Sequence, residues 1–164
     1  MSTSTAPSEY RVEKRRVDAQ VTLSNGQSER GCFFLASTST RHDGPERVAE
    51  LLNSEPGFFP FEIHGASSER TVLYHRSHVV CVALADDEAS RDPGYGVAPL
   101  RRVSLVLSNG ERITGTVRVY RPEGRNRISD WTRQPETFRY VETGHSTIVV
   151  NLAHIVEVTD VTEP

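Results

Sequence analysis

The sequence is poor in several residue types, and each shortage excludes a class of protein. Two cysteines in 164 residues are too few for a disulfide scaffold or a cysteine-based zinc site. Eleven glycines and nine prolines are too few for a collagen-like or low-complexity chain. No apolar run reaches the roughly 18–20 residues that span a bilayer, and residues 1–10 lack the basic and apolar segments of a signal peptide. We therefore expect a cytoplasmic protein that does not enter a membrane.

Lysine is almost absent, because Lys14 is the only one among 19 basic residues and the other 18 are arginines. The 22 acidic residues leave a net charge of −3. This balance argues against a globally basic nucleic-acid binder, although it leaves room for a local arginine-rich patch.

Motifs for catalysis or cofactor binding are also missing. The sequence has no Gly-x-Ser-x-Gly nucleophile elbow and no glycine-rich phosphate loop. Among the six histidines, the spacing of His75 and His78 directs the side chains to different sides of the chain, so no set of three or four metal ligands converges. The sequence predicts a non-enzymatic protein with no catalytic residue, metal, cofactor or evident small-molecule substrate.

The most specific feature is an internal repeat. Leu23-Ser24-Asn25-Gly26 recurs as Leu107-Ser108-Asn109-Gly110, and later blocks match in the same order at offsets that fall from 84 to 80 and 76. Eleven of 40 aligned pairs are identical. This pattern predicts a duplicated unit, with repeat 1 at 15–85, repeat 2 at 99–159, an acidic and Gly/Pro-rich linker at 86–98 and a disordered tail at 1–14.

Each repeat reads as five short strands with a helical insert. Asn-Gly between β-rich runs predicts a hairpin with a type I′ turn, and the mid-strand glycines Gly31 and Gly115 predict a bend or bulge. Helical spacing predicts inserts at 45–53 and 126–133. The remaining strands are predicted at 57–63, 70–75, 78–84, 137–142, 146–151 and 153–159. The fold class is therefore all-β, as two tandem small five-stranded barrels of Sm-like or SH3-like type, each with a short helical insert after strand two.

The pattern resembles the Sm-like small β-barrel family. The matching residues are the hairpin and mid-strand glycine of each repeat and the apolar pair of the closing strand: Leu23, Asn25, Gly26, Gly31, Leu107, Asn109, Gly110, Gly115, Val79-Val80 and Ile155-Val156. It is also similar to a bacterial domain with an Arg-Ile-Ser-Asp insert and a His-Ile-Val closure, which implies no activity. The Sm family's nucleotide-contacting loop has no counterpart here. The resemblance thus implies the barrel fold more than RNA binding.

The last two strands of each repeat are apolar on both faces, whereas a small barrel has only one interior. We expect their outer positions to be covered by the other repeat or by another subunit. The candidate interface residues are Val72, Tyr74, Val79, Ile148, Val150 and Ile155. The function predicted first is an interaction or scaffold module that binds a protein partner, or forms a homo-oligomer, through strand edges. The recurring His78 and His154 are expected to hydrogen-bond a neighbouring loop.

An arginine-rich segment of repeat 2 supports an alternative. Repeat 2 has 9 arginines against 6 acidic residues, and two aromatic residues lie among the arginines. The candidate residues for an anionic partner are Arg118, Tyr120, Arg121, Arg125, Arg127, Trp131 and Arg133. They could bind RNA or single-stranded nucleic acid by stacking and charge, bind an acidic protein, or simply form a solvated loop.

Overall fold

A computed structural model describes residues 14–65, 67–120 and 127–162, and within them the chain is all-β, as predicted. Ten antiparallel strands form a single sheet, accompanied by two short helices. In chain order the elements are β1 (Lys14–Leu23), β2 (Ser28–Ala36), α1 (Val48–Ser54), β3 (Phe58–Ile63), β4 (Arg70–His75), β5 (Val79–Leu84), β6 (Leu100–Leu107), β7 (Arg112–Arg118), α2 (Ile128–Thr132), β8 (Phe138–Glu142), β9 (Thr147–Asn151) and β10 (Ile155–Asp160).

The strands lie in the order β10-β6-β7-β8-β9-β5-β1-β2-β3-β4. The first half, β1 to β5, and the second half, β6 to β10, each contribute five neighbouring strands in the same relative order. The sheet is continuous from one half to the other and open at β4 and β10. This pairing does not show two separately closed barrels.

Both hairpin turns differ from the predicted type I′ turn. That turn needs positive φ at two residues, but no non-glycine residue in the described ranges has positive φ. Only the glycines do, at 89° for Gly26 and 86° for Gly110. Asn25 instead uses its side chain, whose Oδ1 accepts the Gln27 N–H at 2.9 Å. The Asn-Gly pair marks the turn correctly, but the asparagine acts by this local hydrogen bond.

The mid-strand glycines do not form the predicted bulge in the β1–β2 and β6–β7 pairings, and they have a second structural role. The pairing of β1 with β2 runs through Gly31 without a shift, and that of β6 with β7 runs through Gly115 in the same way. A Cβ at Gly31 would stand 1.8 Å from the Glu62 carbonyl oxygen, and one at Gly115 would stand 2.7 Å from that of Glu142. The glycines therefore permit close approach of the next strand's backbone.

Helix α2 lies within the predicted insert 126–133, and α1 begins within the predicted insert 45–53 and ends one residue beyond it, at Ser54. In α1, Val48, Ala49 and Leu52 are buried, which is the spacing of one apolar helix face. In α2 the buried residue is Trp131. No helix within the described ranges is long and apolar enough to cross a membrane. Of the predicted tail, only Lys14 lies among the described residues, where it begins β1.

The hydrophobic residues form two cores, and both halves contribute to each. The first core contains mainly side chains of β1 to β5, but Phe138 and Val149 from the second half pack into it. The second core contains mainly side chains of β6 to β9, but Val80 and Cys81 from β5 pack into it. Because the cores are shared, the two halves pack as one body.

Candidate interaction edges and the seam between the halves

The two halves meet where β5 pairs with β9. Cys81 lies opposite Val150, Val82 opposite Val149, Ala83 opposite Ile148 and Leu84 opposite Thr147. We call this pairing the seam. It joins the last strand of the first half to the fourth strand of the second half.

The seam explains why β5 and β9 are apolar on both faces. Val79 and Val82 of β5 face the first core, whereas Val80 faces the second. On β9, Val149 faces the first core and Val150 the second. Each strand therefore contributes one face to each core, and the seam buries both.

Two polar side chains fasten one end of the seam. Asn151 is buried, donates from Nδ2 to the Val79 carbonyl at 2.9 Å and accepts the Ala153 N–H at 2.9 Å. His154 donates from Nε2 to the Ser77 carbonyl at 2.7 Å. Because a carbonyl can only accept, Nε2 carries the proton, and in the neutral ring Nδ1 then accepts from the Ser108 hydroxyl at 2.8 Å. His154 thus reaches across the seam to the other half.

Asn151→Ala should lower the free energy of unfolding by about 2 kcal/mol, because the buried Val79 carbonyl and the part-buried Ala153 N–H lose the partner that Asn151 supplies. Equilibrium urea unfolding followed by circular dichroism would measure this loss. The control is His75→Ala. His75 occupies the matching place on β4, where its ring accepts only from local groups of Ser77, so a smaller loss is expected. Equal losses would contradict the role given to the seam.

A buried carboxylate in the predicted linker ties the halves together a second time. Glu88 accepts the backbone N–H groups of Val48 and Ala49 at 3.0 and 3.1 Å, at the start of α1. It also accepts the Tyr140 hydroxyl of β8 at 2.9 Å. Burial raises the pKa of Glu88, while these three hydrogen bonds and the charge of Arg47 act in the opposite direction. The segment 86–98 is thus more than a spacer, since it anchors α1 to the second half.

Three apolar residues at or near the open edges β4 and β10 are exposed, although the equivalent residues of the other half are buried. We call residues counterparts when the sequence offsets match them. Val149 in the seam is 0% exposed, and Phe138 and Val80 beside it are 4% and 0% exposed. Their counterparts Phe58, Leu73 and Val156 lie on β3, β4 and β10 and are 58%, 65% and 70% exposed. The side chains of Phe58, Leu73 and Val156 are therefore exposed to solvent, whereas their counterparts are packed in the interior.

Backbone groups are also available at both edges. The Arg76 N–H donates to the Gly57 carbonyl, so these two residues form a hydrogen-bonded pair next to the ends of β3 and β4. Pro60, which lies opposite Leu73, has no N–H to donate. By alternation, the N–H and C=O of Leu73 point away from β3 toward the open edge. On β10, the Val161 N–H bonds the Arg102 carbonyl, so the same alternation points the backbone groups of Val158 away from β6.

Two polar side chains near β4 have unused hydrogen-bonding atoms within the described part of the chain. His78 repeats one contact of its counterpart His154, because its Nδ1 lies 2.9 Å from the Ser24 hydroxyl, but its Nε2 has no partner. The Tyr74 hydroxyl is buried and also unpartnered. The expected contact of the two histidines with a neighbouring loop is thus present in both, whereas only His154 reaches another half.

The six candidate interface residues fall into two groups. Val79, Ile148 and Val150 lie on the seam strands β5 and β9, where Val79 and Val150 are fully buried. Val72, Tyr74 and Ile155 lie on the edge strands β4 and β10. Tyr74 faces the first core, Val72 packs partly against it and Ile155 packs partly against the second.

The structure separates the residues predicted to bind an anionic partner. Arg121 and Arg125 lie outside the described residues. Trp131 is buried beneath Arg139, whose guanidinium lies 5.2 Å from the indole ring. Arg118 bonds the Glu142 carboxylate at 2.9 Å and the Tyr95 carbonyl at 2.7 Å. The exposed members among the described residues are Tyr120, Arg127 and Arg133.

A cleft of about 690 Å³ lies between the two inserts, and Arg118 and Trp131 are part of its wall. Two of the four arginines that line it pair with carboxylates, Arg47 with Asp92 and Arg118 with Glu142. Its lining holds four arginines and four carboxylates, so the cleft is not a concentration of positive charge.

One group of side chains was missed by the sequence analysis. Cys32 on β2 lies opposite Glu62 on β3, and His64 follows two residues later, so that one potential ligand atom from each lies within 4.8 Å of the others. Burial raises the pKa of the Cys32 thiol, and the nearby Glu62 carboxylate adds to the increase. Spacing along the chain could not reveal this group because it depends on strand pairing. The available signal was the difference between Cys32 and its counterpart Thr116.

A scan against protein-family models found no match, and searches of the curated proteins and of the solved structures found none either. What the chain does must therefore be inferred from its own geometry.

Proposed function

We propose that this chain is a tandem pair of Sm-like five-stranded units that self-assembles head to tail, with β10 of one molecule pairing with β4 of the next. The observation that carries the proposal is a contrast in burial. Val149 in the seam, and Phe138 and Val80 beside it, are buried, whereas their counterparts Leu73, Phe58 and Val156 are exposed. A second molecule would bury the three exposed residues as the seam buries theirs.

The register follows from the seam. Adding the repeat offset of 76 to each β5 residue, and subtracting it from each β9 residue, converts the seam pairs into pairs of β10 with β4. Glu157 then lies opposite Tyr74, Val158 opposite Leu73, Thr159 opposite Val72 and Asp160 opposite Thr71. In this register Leu73 and Val158, whose backbone groups both point outward, become direct partners. Such a hydrogen-bonded pair is what antiparallel pairing requires, and a shift by one residue would lose it.

Side chains near β4 also fit this partner. Glu157 would stand opposite Tyr74, whose buried hydroxyl lacks an acceptor within the described residues. His78 would donate from Nε2 to the Ala153 carbonyl of the second copy, as His154 donates to Ser77 across the seam. The contact joins two different edges, so it is heterologous and builds a ring or an open chain of molecules.

The test uses two variants that each block one edge. Leu73→Glu places a carboxylate on β4 opposite Val158 and near Glu157, and Val156→Glu places one on β10. Both sites are mostly exposed, so each variant should fold. In sedimentation velocity the unchanged protein should exceed its monomer mass of 18.3 kDa, and each variant alone should be a monomer. An equal mixture should form a heterodimer only, since it retains one intact β4 and one intact β10.

Val97→Glu is the matched control, because Val97 is an exposed apolar residue of the linker and lies on neither edge. This variant should assemble like the unchanged protein. A monomeric unchanged protein at all concentrations, or single-edge variants that still assemble, would overturn the proposal. A mixture that stays monomeric would exclude the heterologous contact.

A further inference from the structure

We propose that Cys32, Glu62 and His64 form a zinc-binding site with three protein ligands and a fourth position open to solvent. We call it the Cys32 site. It lies on β2 and β3 and at the end of β3, and it is independent of the edges used for assembly.

The backbone holds the three residues in place. Cys32 and Glu62 are direct partners in the pairing of β2 with β3, and the Cys32 sulfur lies 3.9 Å from a Glu62 oxygen. The pairing continues past the end of β3, since the His64 N–H bonds the Arg30 carbonyl at 3.0 Å. Glu62 and His64 are two residues apart and so point to the same side of the sheet.

The donor set and its spacing suit zinc. Thiolate, imidazole and carboxylate are the three ligand types that proteins use for Zn²⁺. Ligand atoms around a tetrahedral zinc ion are about 3.3–3.8 Å apart, and the three present lie within 4.8 Å of one another. His64 is exposed, so rotation of its side chain can bring the ligands together. On binding, Zn²⁺ replaces the thiol proton, which leaves to solvent.

The charges near Cys32 favour the binding of a cation at this site. The carboxylates of Glu62, Asp18 and Glu69 act on the thiol, against the single guanidinium of Arg16. Arg16 donates at 3.0 Å to Glu62 Oε1, the same oxygen that lies 3.9 Å from the Cys32 sulfur, and the Arg16 side chain is 60% exposed. It can therefore orient the carboxylate from outside while the ion is bound.

The second half shows that the fold does not require these donors. Thr116 lies opposite Glu142 as Cys32 lies opposite Glu62. The counterparts of Cys32, His64 and Asp18 are Thr116, Gly144 and Arg102, so only the glutamate is shared. Glu142 is instead held by Arg118 and Tyr95. The ligand set belongs to the first half alone, and the second half supplies a control within the same molecule.

The test titrates the tag-free full chain with Zn²⁺ by calorimetry and with Co²⁺ by absorption spectroscopy. We expect one ion per chain, with tetrahedral Co²⁺ bands in the visible and a thiolate-to-cobalt band in the near ultraviolet. Cys32→Ser should abolish the thiolate band, and His64→Ala, an exposed position that should fold normally, should weaken Zn²⁺ binding by at least about 10-fold. Glu62→Gln should weaken it as well.

The controls are Cys81→Ser, which should keep the thiolate band, and Glu142→Gln, which should keep the affinity. Circular dichroism would verify the fold of each variant. Absence of one-to-one binding, a thiolate band that survives in Cys32→Ser, or equal losses in Glu62→Gln and Glu142→Gln would overturn the site.

Discussion

Glu88→Ala should lower the free energy of unfolding by about 3 kcal/mol, because it removes the acceptor of two buried donors and one part-buried donor at once. Two of them are the N–H groups at the start of α1, and the third is the Tyr140 hydroxyl. The loss should appear in equilibrium urea unfolding. Asp86→Ala is the control, since Asp86 lies in the same linker but its pair with Arg91 is exposed to solvent. A change below about 0.5 kcal/mol is expected there, and equal losses would contradict the role of Glu88.

The raised pKa of Glu88 adds a dependence on pH. Because the folded state binds the proton more tightly than the unfolded state, the stability linked to this group is fully present below the unfolded pKa. It is lost as the pH rises through the folded pKa. Glu88→Gln cannot titrate, so the unchanged protein should gain stability relative to that variant when the pH is lowered from 7 toward 4. A constant difference over this range would contradict the effect of burial.

Gly31→Ala should be at least as damaging as the loss of Glu88, at about 3 kcal/mol. The new Cβ would stand 1.8 Å from the Glu62 carbonyl oxygen and 2.7 Å from the Phe61 ring, in a paired region where the backbone of β3 cannot move alone. Thermal and urea unfolding would measure the effect.

The second half again supplies the matched variant. A Cβ at Gly115 would approach the Glu142 carbonyl oxygen to 2.7 Å, a milder overlap than at Gly31. Gly115→Ala should therefore cost less than Gly31→Ala. The reverse order would show that the close approach of the strands is not what the glycines serve.

Local features of this fold were predictable from the sequence. Alternation and the Asn-Gly turns identified the strands, and the apolar spacing of Val48 and Leu52 identified α1. These signals for strands and for the helix depend only on residues a few positions apart in the sequence. The two-faced apolar character of β5 and β9 also predicted that something must cover them. The sequence could not show that β5 pairs with β9, because that choice depends on packing across 60 to 70 residues of chain.

The candidate functional residues also divide into those that local sequence patterns predicted and those that depend on contacts distant in sequence. Val79 and Val150 were predicted to be interface residues because their hydrophobicity is visible in the sequence. Val150 lies in the seam, and the Val79 carbonyl accepts from Asn151 at its end. The role of Glu88 was not predicted, since a glutamate in an acidic linker reads as solvated until its partners in α1 and β8 are known. Trp131 was predicted to stack on a ligand, but an aromatic residue beside arginines looks the same in sequence whether it is exposed or covered by one of them.

The shared cores constrain the order of events during synthesis. The first half leaves the ribosome before Phe138 and Val149 exist, yet both side chains belong to the first core. A nascent chain that ends in the linker would present β5 with one apolar face uncovered and α1 without its contact to Tyr140. The first core therefore stays incompletely packed until β8 and β9 have been synthesised.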